Sequence, residues 1–269
     1  MKIAILASGS TGNCAVVSHG GTFVLLDAGI SARRIAAGLR ELGLSPADLS
    51  AVLVTHAHSD HVSGLRVLAR QVGAPVFATP SACEEWYSRC PCDEVRDLFC
   101  LREAGSGFAI GALEVRSFPT SHDAAGSVGY VLSGGGERLA LCTDLGCVTD
   151  EVRRAVAGCG TVVCEANHDI EMLKTGPYPY VLKKRILGPK GHLSNEAGAE
   201  LAAFAVEHGA GTVVLAHLSR TNNTPELAYA AAALRLRDMG REPGRDAALC
   251  VAPAAAGSPR WLGEEAVLC

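Results

Sequence analysis

The stretch LVTHAHSDHVSGL, residues 53–65, places His56, His58, Asp60 and His61 within six consecutive positions, directly after an apolar run. AVLVT (51–55) reads as a buried strand and SGLRVLARQVG (63–73) as a helix closed by Gly73, so the polar group falls at the C-terminal end of a strand. Open α/β sheets gather their ligands there. Side chains at i and i+2 of an extended segment point the same way, so His56 and His58 can grip one ion while the turn carries Asp60 and His61 toward another. Neutral imidazole with carboxylate suits zinc, manganese or iron. The plain alternative, a polar helix start with incidental histidines, leaves four crowded titratable groups with no compensating cation.

Around this stretch, short apolar runs alternate with amphipathic segments. KIAIL (2–6), CAVVS (14–18) and TFVLLDAG (22–29) read as strands separated by Gly and Ser turns, and SARRIAAGLREL (31–42) as a helix capped by Ser31. A second cycle predicts strands near 112–118, 128–133 and 138–142, then a helix near 149–157 and the strand TVVCEA (161–166). Helices near 195–208 and 225–238 flank the strand TVVLAH (212–217). No low-complexity linker interrupts the pattern, which predicts one α/β domain over 1–269 with two sheets and outer helices.

Composition bounds the function. A chain of 269 residues with 48% hydrophobic content can bury a sizeable core. No run approaches the roughly 20 apolar residues that span a bilayer, and MKIAILASGSTGN lacks a signal-peptide pattern, so no membrane association and a cytoplasmic location are expected. A net charge of −4 argues against a generally basic nucleic-acid surface and leaves room only for a local patch. The eleven cysteines are expected to be mostly reduced core residues; Cys83, Cys90, Cys92 and Cys100 crowd together but lack the CxxC pairing of a zinc knuckle.

The pattern H-x-H-x-D-H at 56–61 resembles the metallo-β-lactamase superfamily. The resemblance implies a four-layer αβ/βα sandwich with a dinuclear metal site at one edge, and further ligands downstream. FPTSHD offers His122, LALCTDLG offers Asp144 and VVLAHLSR offers His217, each after a strand-like run. By this resemblance His56, His58 and His122 hold one ion, Asp60, His61 and His217 the other, and Asp144 bridges two ions roughly 3.5–4 Å apart. Cys142 is a rival ligand, although its run LALC reads as core. Asp27 of LLDAG matches an early aspartate that supports the metal loop by hydrogen bonding.

More particular phrases, LASGSTGNC, LLDAGIS, CEANHD, KGHLSNE and AHLSRTNN, are similar to the YycJ/WalJ family, from residue 1 to about 240. That resemblance implies a 5′-to-3′ DNA exonuclease linked to mismatch repair and activated by manganese. Phosphodiester cleavage suits two cations, which activate water and offset phosphate charge. Asp60 is counted with the catalytic group as well as with the ligands. His192 is the expected leaving-group acid and Glu165 its carboxylate partner; a solvated loop histidine, or ligation by His192 in place of His217, are the alternatives. HLS departs from the HST of related ribonucleases Z, and His168 lies close by in the sequence.

The run LKKRILGPKGH offers Lys183, Lys184, Arg185 and Lys190 as DNA-backbone contacts. SRTNN adds Ser219, Arg220, Asn222 and Asn223, as phosphate contacts or as a turn capping the next helix; Ser8, Ser10 and Asn13 of SGSTGN border the site or serve only their turn. Small-molecule phosphodiesterases and glyoxalase II-like thioester or lactone hydrolases share the metal pattern, though PTSHD replaces the PGHT of the latter. A noncatalytic binding module is disfavoured by the filled ligand positions. The last 30 residues carry no recognised motif.

Overall fold

The computed structural model describes residues 1–255 and 259–262; the end of the motif-free tail lies outside the described residues. The first half of the chain builds β1 (Lys2–Ala7), β2 (Cys14–His19), β3 (Thr22–Leu26), α1 (Ala32–Glu41), β4 (Ala51–Leu53), α2 (Ser59–Val62), α3 (Leu65–Val72), β5 (Val76–Ala78), α4 (Pro80–Arg89) and β6 (Phe99–Leu101). The second half builds β7 (Gly107–Ile110), β8 (Leu113–Pro119), β9 (Val128–Gly134), β10 (Glu137–Cys142), α5 (Asp150–Val156), β11 (Thr161–Glu165), α6 (Ile170–Thr175), α7 (Tyr180–Ile186), α8 (Asn195–Glu207), β12 (Thr212–Ala216), α9 (Pro225–Asp238) and β13 (Ala248–Val251).

The strands form two sheets, ordered β1-β2-β3-β4-β5-β6 and β13-β12-β11-β10-β9-β8-β7. Each has an antiparallel part built from hairpins and a parallel part reached through helices. His19 pairs with Thr22 across Gly20-Gly21, whose φ values of 54° and 78° are the two positive dihedrals that a tight hairpin turn requires. The parallel strands TVVCE and TVVLA are buried over four consecutive residues, as expected where both faces of a sheet are covered.

Strand alternation explains the layering. Val17, Val24, Leu26 and Leu53 of the first sheet share a core with Leu132, Leu139, Leu141, Val163 and Val214 of the second. Their neighbours Val16, Leu25 and Val52 turn the other way, onto Ile35 and Leu39 of α1 and Leu65 and Leu68 of α3. On the far side Val162, Cys164, Val213 and Leu215 meet α5, α8 and α9 through residues such as Val152, Leu201, Ala202 and Leu236. The result is helix, sheet, sheet, helix, the sandwich that the sequence resemblance implies. Cys142 belongs to this outer core and is fully buried, so it is packing and not a ligand.

Helix ends follow local chemistry. The Ser31, Thr149, Ser194 and Thr224 side chains each accept a hydrogen bond from the first turn of α1, α5, α8 and α9 respectively, and Gly73 closes α3 with φ 67°. The region around Cys83 to Cys100, which the sequence presents only as a cysteine crowd, forms α4 and the edge strand β6. Cys83, Cys90 and Cys92 pack in the α1/α3 layer while Cys100 packs against the central core, so the four do not converge.

Candidate metal centre

The two sheets meet at one edge through Tyr130 of β9, whose hydroxyl donates to Val54 O at 2.8 Å, and Val128 N, which donates to Thr55 O at 3.1 Å. The loops leaving β3, β4, β8, β10 and β12 converge there. All seven residues expected as ligands lie together: donor atoms of His56, His58 and His122, of His56, His61 and Asp144, and of Asp60, His61 and His217 form groups whose members are all within 4.8 Å of one another. His58 Nδ1 and His122 Nε2 are 3.2 Å apart; Asp144 lies 3.4 Å from His61 Nε2 and 3.7 Å from His122 Nε2.

Backbone strain aims two of these ligands and one supporting carboxylate. Asp27, Asp144 and His217 are the non-glycine residues with positive φ among those described, at 58°, 60° and 60°, and each lies just beyond the end of a strand. Left-handed backbone at a non-glycine residue costs on the order of 1–3 kcal/mol and persists where the surroundings enforce it. For His217 the surroundings are the Ser8 hydroxyl, which accepts its N–H at 2.7 Å, and the Asn167 amide, which donates to its carbonyl at 2.8 Å. A close approach of backbones completes the loop: a Cβ on Gly29 would stand 1.7 Å from Asp60 O, so only glycine lets LLDAGIS pass beneath the metal loop.

Behind the ligands stand oriented carboxylates. Asp27 takes Thr55 N at 2.8 Å and the Thr55 hydroxyl at 2.9 Å, and its Oδ2 is 2.7 Å from His61 Nδ1, which leaves His61 Nε2 pointing into the cluster. Glu165 plays the same part twice: Oε1 lies 2.8 Å from both His192 Nδ1 and His217 Nδ1, while Oε2 accepts Leu145 N at 2.8 Å and Leu193 N at 3.1 Å. Such partners fix the ring orientation of a metal-binding histidine. Asp27→Asn is therefore expected to lower metal affinity by ~10- to 100-fold while the fold melts cooperatively as before, a split readable by metal titration beside thermal unfolding.

The electrostatics ask for cations. Burial alone favours neutral rings, yet Asp144, Asp60 and Glu165 push the pKa of His217 up to about 10, and Asp144 and Asp27 hold that of His61 well above its usual range. Asp144, despite burial, is held well below the ordinary carboxylate range by His217, His61, His56 and His122. His56 goes the other way, kept neutral by burial and by His61. Its Nε2 and the Oδ2 of Asp144 are buried without any hydrogen-bond partner; Asp144 Oδ2 is 3.4 Å from His61 Nε2 but lacks bonding geometry. Orphaned acceptors on a neutral imidazole and an ionised carboxylate, inside a box of further nitrogen and oxygen donors, fit divalent metal ions.

Some expectations need correction. Of the two readings of SRTNN, Ser219, Asn222 and Asn223 fit the turn. They are buried, and Asn223 bonds Asn195 and Ala166 O at 2.8 Å while the Ser219 hydroxyl accepts Asn222 N at 3.2 Å, a packed turn beneath α9. Arg185 is engaged by Asp123 through both carboxylate oxygens, and Lys183 donates to Lys174 O at 2.7 Å. Lys184 and Lys190 are exposed, with no partner among the described residues. Conversely, Asn13 is closer to the site than its loop suggested: its amide lies 3.0 Å from His61 Nε2 and 3.3 Å from Asp60 Oδ2. The phrase SGSTGN was the available signal, and only the fold reveals what it contacts.

Fold and site together define a metal-dependent hydrolase of the metallo-β-lactamase class. Residues 22–218 match the family described as Beta-lactamase superfamily domain. The chain is 39% identical over 243 residues to exodeoxyribonuclease YycJ of Bacillus anthracis, covering 89% of this chain and 90% of the relative. It is 37% identical over 232 residues to exodeoxyribonuclease WalJ of Streptococcus pneumoniae serotype 2, covering 85% of each. The metallo-β-lactamase fold protein YhfI of Bacillus subtilis superimposes with a TM-score of 0.70 at 15% identity, over 97% of this chain and 98% of that one. The chain belongs to the YycJ-like family of the metallo-β-lactamase superfamily. Among the described residues no helix is long and apolar enough to cross a membrane.

Proposed function

We propose that this protein is an exodeoxyribonuclease that degrades DNA from its 5′ end in repair, with two divalent ions, manganese or zinc, held by His56, His58 and His122, by Asp60, His61 and His217, and by Asp144 between them. The observation that carries a phosphodiesterase reading is the pairing of His192 Nδ1 with Glu165 at 2.8 Å on the rim of the ligand cluster, where the ring is partly exposed. The substrate class is supported by the YycJ and WalJ relatives, which are named exodeoxyribonucleases, and the polarity by the sequence resemblance alone. When bound, the ions supply an activated water and offset the charge of the phosphate oxygens.

The chain's own groups then do the rest. Glu165 holds the His192 proton-carrying ring in place, which leaves Nε2 to protonate the departing 3′ oxygen. Asn13 and Asp27 fix the metal loop. A second reading, in which His192 is itself a ligand, has a specific observation behind it: Nδ1 lies 3.9 Å from Asp144 Oδ1. The discriminating panel is labelled single- and double-stranded DNA, RNA, bis(p-nitrophenyl) phosphate and a thioester, each with manganese and with zinc. Release of nucleotides from the 5′ end of DNA is expected; hydrolysis of the thioester alone would make the protein a glyoxalase II-like hydrolase instead.

Lys184 and Lys190, close to His192 in the chain, are exposed cations with no partner among the described residues. Changing both to alanine is expected to weaken DNA binding and to reduce the slope of log K against log salt by roughly 0.7–0.9 for each phosphate that a lysine no longer neutralises, with turnover of bis(p-nitrophenyl) phosphate unchanged. Equal damage to both substrates would place these lysines in the structure of the site and not on the DNA path.

A further inference from the structure

The nuclease reading leaves one surface unexplained. Helix α7 carries Val181 and Tyr180, 78% and 77% exposed, the two most exposed large hydrophobic side chains among the described residues. With Lys184 and the 47% exposed Leu187 they stand at i, i+1, i+4 and i+7, which is one face of a helix. The far face is the anchored one, where Ile186 is buried; Lys183, at the edge of the stripe, donates to Lys174 O. The C-terminal end of α7 is tied to the metal centre, because Arg185 grips Asp123, the neighbour of His122, and Ile186 O accepts the His192 N–H at 3.0 Å. An apolar and cationic stripe thus runs outward from the acid histidine for about 10 Å, at 1.5 Å per residue.

From this geometry we infer that α7 is a stacking platform for single-stranded DNA, with Tyr180 and Val181 against unpaired bases and Lys184 on the backbone, which guides a single strand to His192. The inference rests on the nuclease reading and deepens it. Aromatic rings beside cations recognise single strands because unpaired bases expose their faces, whereas a duplex covers them. The charge agrees, since the exposed Lys184 lies within the stripe and the exposed Lys190 follows it along the chain, in a protein of net charge −4. A second copy of the chain is a poorer occupant: three apolar side chains cannot supply the ~800 Å² per partner of a stable interface.

The test uses the metal-loaded protein and a single-stranded oligodeoxynucleotide carrying 2-aminopurine near its 5′ end. Tyr180→Ala with Val181→Ala is expected to raise the Kd by ~5- to 100-fold and to abolish the fluorescence quench of a stacked base, whereas Tyr180→Phe keeps both. Binding of a blunt duplex and hydrolysis of bis(p-nitrophenyl) phosphate should change less than about twofold. Unchanged single-strand binding in the double variant, an equal loss on duplex, or a wild-type dimer that the variant turns into a monomer would each overturn the inference. Wild-type protein that binds the strand through Tyr180 but releases no nucleotide would sink the nuclease reading while leaving the platform standing.

Discussion

Asp144→Ala is expected to strip bound metal and to reduce DNA hydrolysis by far more than the ~10- to 100-fold that loss of a supporting hydrogen-bond partner costs. The reason lies in its position. Asp144 faces His61, His122 and His217 within 3.4, 3.7 and 3.5 Å, so a single carboxylate serves both halves of the cluster. It is almost wholly buried, on a backbone held at φ 60°. Metal analysis of the purified variant checks this against wild type. Full metal content with normal turnover would remove Asp144 from the site.

His192→Ala is the second large effect, expected to cost ~10²- to 10⁴-fold in turnover on DNA, the usual worth of a positioned general acid, with metal content and DNA binding retained. Leaving-group chemistry makes the prediction specific. A deoxyribose alkoxide needs a proton as it departs, while p-nitrophenolate leaves readily as an anion, so bis(p-nitrophenyl) phosphate should recover much of the loss. His217→Ala should instead lose metal and fail on both substrates. If His192→Ala sheds metal, or suffers equally on both leaving groups, His192 is a ligand and the acid must be sought elsewhere.

Those two histidines show what a sequence displays and what it hides. His56, His58, Asp60 and His61 are contiguous, so their convergence is visible before any fold is known. His122, Asp144 and His217 were legible for another reason: each follows a strand-like run, and strand ends in an αβ/βα sandwich share one rim. Glu165 as the partner of His192 came from the family resemblance alone, and its second contact, 2.8 Å to His217 Nδ1, was not read from the sequence. Contacts between residues far apart in the chain leave no such trace. Asn13 against His61, Ser8 beneath His217 and Asp123 on Arg185 join loops separated by 48, 209 and 62 positions. SRTNN left two readings open because a buried polar turn and a substrate-binding loop use the same residue types. In the fold, the three-residue strands β5 and β6 were too short to show a period, whereas TVVCE and TVVLA were unmistakable.

The dinuclear nuclease site is tested most directly by a metal titration of metal-free protein, followed by release of nucleotides from 5′-labelled DNA. The metal-free protein is expected to release nothing, and activity to rise with added manganese to a plateau at two ions per chain, with single labelled nucleotides as the first product. Full activity without metal, or a fully loaded protein that leaves DNA intact while hydrolysing a thioester, would contradict it.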